Sequence, residues 1–262
     1  MHATFTELVW DYYRKNGRQM PWRDEPTFYH VLVSELMLQQ TQLERVRVKY
    51  DEFMKRFPDV EALAGAPLSD VLKVWQGLGY NRRAKYLHES AKYIQLHGVP
   101  DTFNQMVKLP GVGKNTAGAL MNYVYDSPTP FIETNIRSVY FHHFFADSRD
   151  VSDKDLLELV QQTVDTENPR EWFWALMGYG TFLKRQGLGR LDVSSHYKKQ
   201  APLAGSVREI RGRIVKLLSV SALSRVALRE QCQAEDRFDG AYDGLLRDGL
   251  ISESDGMVRL TE

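Results

Sequence analysis

The chain has 262 residues, 43% apolar and 11% aromatic, enough to bury one large core or two smaller ones, which argues against extended disorder. Its 34 Lys+Arg balance 34 Asp+Glu, so any surface for an anionic polymer has to be local. A single cysteine, Cys232, excludes a disulfide framework, a four-cysteine zinc site and a cluster held by four thiolates; the seven histidines have no ligand spacing, and no metal site is expected. No run of about 18 apolar residues occurs and the first residues lack a secretory pattern, so an intracellular protein of the cytoplasm or nucleoid, with no membrane partner, is expected.

In chain order, helical periodicity dominates the first two thirds. Leu36, Leu43 and Tyr50 recur every seven residues and predict one amphipathic helix over Val33 to Tyr50. Pro67 and Ser69 precede the short apolar group Val71, Leu72 and Trp75. Leu87, Ala91 and Ile94 follow at helical spacing, and Thr102 with Gln105 and Ser152 with Asp155 have the spacing of capping boxes. Phe173, Leu176, Met177 and Leu183 mark the last strong helix of this part, which is expected to hold about ten short helices. Between Gly187 and Gly205 the pattern lapses into a polar, basic stretch with Arg190, His196, Lys198, Lys199 and Pro202, a domain boundary. The tail then reads as helices Val207 to Leu218, Leu223 to Cys232 and Phe238 to Asp248, followed by a hairpin with a Ser-Asp-Gly turn. Three helices and a hairpin predict a winged-helix-like module. Its third helix carries Asp236, Asp239, Asp243 and Asp248, which phosphate repels, so a packing or protein-contact role is expected there. Arg208, Arg211, Arg213 and Lys216 make the first tail helix the better face for DNA.

The most informative run is Leu109-Pro110-Gly111-Val112-Gly113-Lys114-Asn115-Thr116-Ala117, between two helical segments. Gly111 and Gly113 are read as permitting backbone angles closed to other residues and exposing N–H groups at a helix start, which suits an anion. The plain alternative is a helix C-cap with two glycines. Contact to phosphate grips nucleic acid without reading sequence, and Arg82, Arg83, Lys85 and Lys92 widen that grip unless they form an ordinary solvated face.

Two carboxylates stand beside apolar residues. Glu35 is flanked by Leu32, Val33, Leu36 and Met37, and a carboxyl in such surroundings tends to stay protonated, as general acid catalysis on a leaving base requires. Glu133 stands in Pro130-Phe131-Ile132-Glu133-Thr134-Asn135-Ile136-Arg137. Taken alone, each is better explained as a helix-edge carboxylate.

Together with Met20-Pro21-Trp22-Arg23, Ser34 to Gln42 and Trp75-Gln76-Gly77-Leu78-Gly79-Tyr80, these segments resemble the helix-hairpin-helix (HhH-GPD) DNA glycosylase superfamily, and within it the adenine-excising MutY type, from about Trp10 to Lys184. The resemblance implies an all-α, two-lobed glycosylase fold over residues 1–200, with the winged-helix-like module over 205–262. It implies hydrolysis of the N-glycosidic bond of a mispaired adenine, opposite 8-oxoguanine or guanine, flipped out of double-stranded DNA in base excision repair. Glu35 matches the glutamate that protonates the leaving purine and handles water. Glu133 matches the position of an aspartate that stabilises the sugar's oxocarbenium-like transition state, here one methylene longer. Asn135 matches an asparagine near the sugar. Gln39, Gln40 and Thr41 lie in the segment that enters the duplex, Tyr80 matches an intercalating tyrosine, and Arg18 and Trp22 match positions near the adenine pocket, although Trp22 equally suits a core. Gly111, Gly113, Lys114, Asn115 and Thr116 form the phosphate-gripping hairpin.

The match also departs from its family. Asn115 stands where bifunctional relatives carry a Schiff-base lysine, which implies a base-only hydrolase; adjacent Lys114 is the candidate for a weak lyase side activity, although a helix turns about 100° per residue and would point it elsewhere. Residues 184–199 lack the cysteines of an iron–sulfur loop, so no cofactor is expected. The tail is read as a fold different from the 8-oxoguanine-sensing domain of MutY-type relatives, so that domain is not expected here and the tail is expected to serve a protein partner; a monomer is expected. The alternatives are a thymine, uracil or damaged-base glycosylase of the same superfamily, disfavoured by Gln39-Gln40, and a non-catalytic DNA-binding protein on the same scaffold, against which Glu35 argues.

Overall fold

The computed structural model describes residues 2–145, 147, 148, 150–194, 201–233 and 235–262. Its helices are α1 (His2–Asn16), α2 (Pro21–Asp24), α3 (Phe28–Leu38), α4 (Leu43–Arg56), α5 (Val60–Ala64), α6 (Leu68–Trp75), α7 (Arg82–His97) and α8 (Phe103–Met106). They continue with α9 (Lys114–Tyr125), α10 (Thr134–Phe144), α11 (Asp153–Thr163), α12 (Pro169–Arg185), a 3₁₀ turn Leu191–Val193, α13 (Val207–Leu218), α14 (Arg225–Cys232) and α15 (Glu235–Arg247). Strands β1 (Ile251–Ser254) and β2 (Met257–Leu260) close the chain. Among the described residues the fold is thus all-α apart from one hairpin, as expected. His196, Lys198 and Lys199 of the basic stretch lie outside the described residues.

The chain gathers into two compact units. The first comprises Met1–Val31, Pro100–Lys108 and Val112–Lys199. Its centre is aromatic: Phe5, Tyr140, Phe141, Trp172 and Phe173 are buried where α1 and α10 pack on α12. Local start signals hold it in register. The Ser152 hydroxyl accepts from the Asp155 N–H at 3.2 Å, and Gln105 Oε1 accepts from the Thr102 N–H at 3.3 Å.

The second unit comprises Leu32–Val99, Leu109–Gly111 and Gln200–Glu262. Val33, Leu36, Phe53, Leu72, Trp75 and Leu87 form one part of its core, and Ile214, Leu228, Phe238, Tyr242, Leu245 and Val258 the other. The tail has the expected order of three helices and a hairpin, with β1 and β2 antiparallel and Ser254 paired to Met257. Asp255 and Gly256 turn the hairpin at φ +53° and +71°, the primed geometry that fits strand twist. Within this unit β2 packs on α6, and the Ser69 hydroxyl donates to Glu262 at 3.3 Å.

The helix predicted over Val33 to Tyr50 is in fact two, α3 and α4, broken at Gln39 to Gln42, where Gln40 is left-handed at φ +57°. The cause is Arg83, 5% exposed, whose Nη1 donates to the carbonyls of Leu36, Met37 and Gln39 at 2.7, 2.8 and 2.6 Å. These are the orphan carbonyls at the end of α3, and a guanidinium is a strong cap for them.

Candidate active site

In the first unit, Glu133 is the N-cap of α10, in extended backbone at φ −135°. One carboxylate oxygen accepts from the N–H of Asn135 at 2.5 Å and of Ile136 at 2.9 Å, and the other accepts from Asn135 Nδ2 at 3.2 Å. Glutamate's extra methylene is therefore absorbed in capping its own helix. Burial pushes the Glu133 carboxyl above its ordinary range, while the Ile136 N–H, the charge of Lys184 and the Asn135 bonds pull it back. Burial lowers the ammonium of Lys184, and Glu133 partly restores it.

Asn135 connects this carboxylate to Arg18. The Thr181 hydroxyl lies 3.4 Å from Asn135 Oδ1 and accepts from Arg18 Nη2 at 3.3 Å, while its proton also reaches the Met177 carbonyl at 2.9 Å. Gly180 makes the approach of α12 feasible, because a Cβ there would stand 2.1 Å from the Asn135 carbonyl oxygen. Gly180, Thr181 and Lys184 are the site residues that sequence reasoning missed; three positions on one helical face, at i, i+1 and i+4, are their only sequence signal. Trp22 is buried at 5% exposure, and the guanidinium of Arg23, another missed neighbour, lies 4.8 Å from the Trp174 ring.

The first turn of α9 also belongs to this unit. Gly113 is its N-cap, with no side chain to close the helix end, and Lys114 and Asn115 are exposed. Gly113 has φ −87°, an angle open to any residue, so the expectation of a special backbone angle is corrected there. Nothing lies within 4 Å of where its Cβ would be, so what glycine supplies is room. Asn115 Oδ1 accepts from the Ile132 N–H at 3.3 Å, anchoring the strand of chain that leads into Glu133. Thr116 follows, half-buried.

The other expected residues lie in the second unit. Glu35 is half-buried on α3 between buried Ser34 and Leu36. Gln39 Nε2 donates to the Gly111 carbonyl at 3.3 Å, and Ser90 donates to the Pro110 carbonyl at 3.0 Å. Gly111 is left-handed at φ +76° and lies flat on Tyr86, where a Cβ would come within 2.8 Å of the tyrosine Cβ. Gln40 is exposed. Arg83 Nη2 donates to Thr41 Oγ1 at 3.0 Å and to the carbonyls of Leu78 and Gly79 at 3.1 and 3.0 Å, tying the two turns together. Tyr80 ends the second turn at φ +48°, its hydroxyl 2.5 Å from Arg208 Nη1.

Several basic residues read as a phosphate grip have partners within the protein. Arg83 is buried, and burial lowers its guanidinium to about 10. Lys85 donates to the Asp248 carbonyl at 2.8 Å, and Arg82 pairs with the Asp248 carboxylate at 3.5 Å. Basic residues of the first tail helix are likewise engaged within the protein: Arg208 bonds to Tyr80, Arg211 to Asp248, and Arg213, though exposed, to the Cys232 carbonyl at 2.6 Å. Lys92, Lys114 and Lys216 are exposed. A four-thiolate cluster does not fit this chain, whose one cysteine is buried in α14, and among the described residues no group of three or more His, Cys, Asp or Glu is placed to hold a metal ion.

Residues 33–163 match the model of the HhH-GPD superfamily base excision DNA repair protein, a span that contains α4 to α11 and both carboxylates. The chain is 32% identical to an adenine DNA glycosylase of Mycobacterium tuberculosis, covering 99% of this chain and 94% of that one. This chain belongs to the HhH-GPD superfamily. The HhH-GPD chain is also 32% identical to an adenine DNA glycosylase of Buchnera aphidicola, over 63% of its own length, and spans 47% of that relative. Its fold matches the solved structure of a thermostable thymine-DNA glycosylase with a TM-score of 0.61 and 25% identity, covering 68% of this chain and 85% of the other.

Proposed function

We propose that the protein is a monofunctional adenine DNA glycosylase that hydrolyses the N-glycosidic bond of a mispaired adenine, opposite 8-oxoguanine or guanine, extruded from double-stranded DNA. The observation that carries this reading is the Glu133 cap: a carboxylate aimed by two backbone N–H groups and by Asn135, with Arg18 tied in behind through Thr181. A fixed anion costs no reorganisation when positive charge develops on the sugar, which is how such sites accelerate bond rupture. Glu35 supplies the proton to the leaving purine, and Glu133 the anion that answers the charge developing on the sugar. The named adenine DNA glycosylases, 31–37% identical, support adenine as the base. Gln39, Gln40, Thr41 and Tyr80 probe the duplex, Arg18 and Trp22 border the base, and Gly111 to Thr116 hold phosphate.

Asn115 has no nucleophilic amine, so strand scission by the enzyme itself is not part of the reaction. The protein works as a monomer without an iron–sulfur cluster, in the compartment that holds the chromosome. Likeness to a thymine-DNA glycosylase favours, as second reading, removal of thymine opposite guanine. End-labelled duplexes carrying A opposite 8-oxoguanine, A opposite G, T opposite G and U opposite G separate the two. Breaks at A-containing sites that form only after alkali are expected. Breaks confined to T or U opposite G would overturn the adenine assignment, and breaks without alkali the base-only chemistry.

A further inference from the structure

Tyr80 is an aromatic residue in the left-handed region, at φ +48°, a conformation that costs free energy for a bulky side chain and survives only where its surroundings impose it. The turn beneath it is imposed from below: Arg83 holds the carbonyls of Leu78 and Gly79, and Trp75 Nε1 donates to the Gly79 carbonyl at 3.1 Å. The ring has the Arg83 guanidinium carbon 5.4 Å from its centroid, and its hydroxyl is held from the tail. Arg208, in the first turn of α13, donates through Nη1 to the Tyr80 hydroxyl at 2.5 Å, and its guanidinium carbon lies 5.5 Å from the ring centroid. Its other terminal nitrogen donates to the Ala201 carbonyl at 2.6 Å, so the fork is fixed at both ends. The helix carrying Arg208 is anchored in turn: Asp248 accepts from Arg211 of α13 and pairs with Arg82 of α7, two residues from Tyr80.

We propose that Arg208 is a positioning residue for Tyr80, and that the tail module serves the site by presenting that ring to a nucleobase in duplex DNA. The inference rests on the glycosylase reading above and adds to it a function for residues 201–262. A ring held by a two-ended guanidinium keeps one orientation, and an aromatic platform stacks a base only while its face stays presented.

The test is a double-mutant cycle in the full chain with R208A, Y80F and the double variant, read as single-turnover base release and binding on a duplex with A opposite 8-oxoguanine and one with A opposite T. R208A is expected to lower the preference for the lesion duplex about tenfold, the scale of one lost charge-assisted hydrogen bond. Y80F, which keeps the ring and removes the hydroxyl, is expected to do the same, and the double variant no worse than either. R208K keeps the charge and loses the fork, so it should resemble R208A and separates positioning from a general loss of positive charge. Parental preference in R208A or R208K, or effects that multiply in the double variant, overturns the inference. A parental enzyme that releases adenine from neither duplex overturns the glycosylase reading and the inference together, and the parental lane tells the two failures apart.

Discussion

Glu133 sits under opposed influences. Burial favours its neutral form, whereas two N–H groups at a helix start, the Asn135 amide and the charge of Lys184 favour the anion. A carboxylate needed as an anion and raised by burial gives activity that falls as pH drops through its elevated pKa. Lys184 opposes that rise, so K184M raises the Glu133 pKa further and moves the acid limb of the single-turnover pH–rate profile to higher pH, while K184R leaves the limb near its parental place. An unmoved limb in K184M would show that the ammonium does not act on Glu133. Of the other ionisable groups at α10, Arg137 is paired with Asp153 of α11, His143 bonds to the Tyr179 hydroxyl with burial lowering its pKa to about 4, and Arg18 bonds to Thr181.

Two elements are set by single residues far away in sequence. The start of α10 and the body of α12 touch at Gly180, so G180A drives a methyl into the Asn135 backbone. The cost is about 2 kcal/mol or more of stability from overpacking, with base release lost beyond what stability explains, because the Glu133 cap shifts with the helix. Urea unfolding and single-turnover rates measure both; an unchanged midpoint would contradict this packing. Arg83 is the corresponding residue of the second unit, where one side chain satisfies five carbonyls and the Thr41 hydroxyl. R83M keeps much of the volume and abandons these acceptors, and about 3 kcal/mol of destabilisation is expected in urea. The break between α3 and α4 was invisible to periodicity for the same reason. Leu36 and Leu43 stay in helical phase across it, and a cap delivered from 47 residues away leaves no local trace.

For the molecule as a whole, what was legible in the chain was what is local. The hairpin run, the Glu133 segment and the order of the tail elements are written in contiguous residues, and each lies in the structure where its spacing implies. What was not legible depends on partners far apart. Arg83 and Arg208 look like free surface cations in a sequence, yet in the fold Arg83 is buried against carbonyls and half-buried Arg208 is bonded to the Tyr80 hydroxyl, because charge alone does not say which carbonyls or rings a folded chain brings near. Thr181 and Gly180 look like ordinary helix residues until α10 is laid against them. The tail belongs to the same compact unit as residues 32–99, with Asp248 and Glu262 bonded to α7 and α6. Its acidic third helix thus reaches its basic partners within the protein.

The proposed reaction needs a proton delivered to the leaving base, and Glu35 is its proposed donor. The most direct measurement of that role is single-turnover release of adenine opposite 8-oxoguanine by the parental protein and by E35Q, with binding of each to the same duplex followed in parallel. The account predicts that E35Q binds within about threefold of the parent, as a neutral isostere should, while its release falls by about a hundredfold or more, the scale of general acid catalysis. Release by E35Q at the parental rate would contradict it.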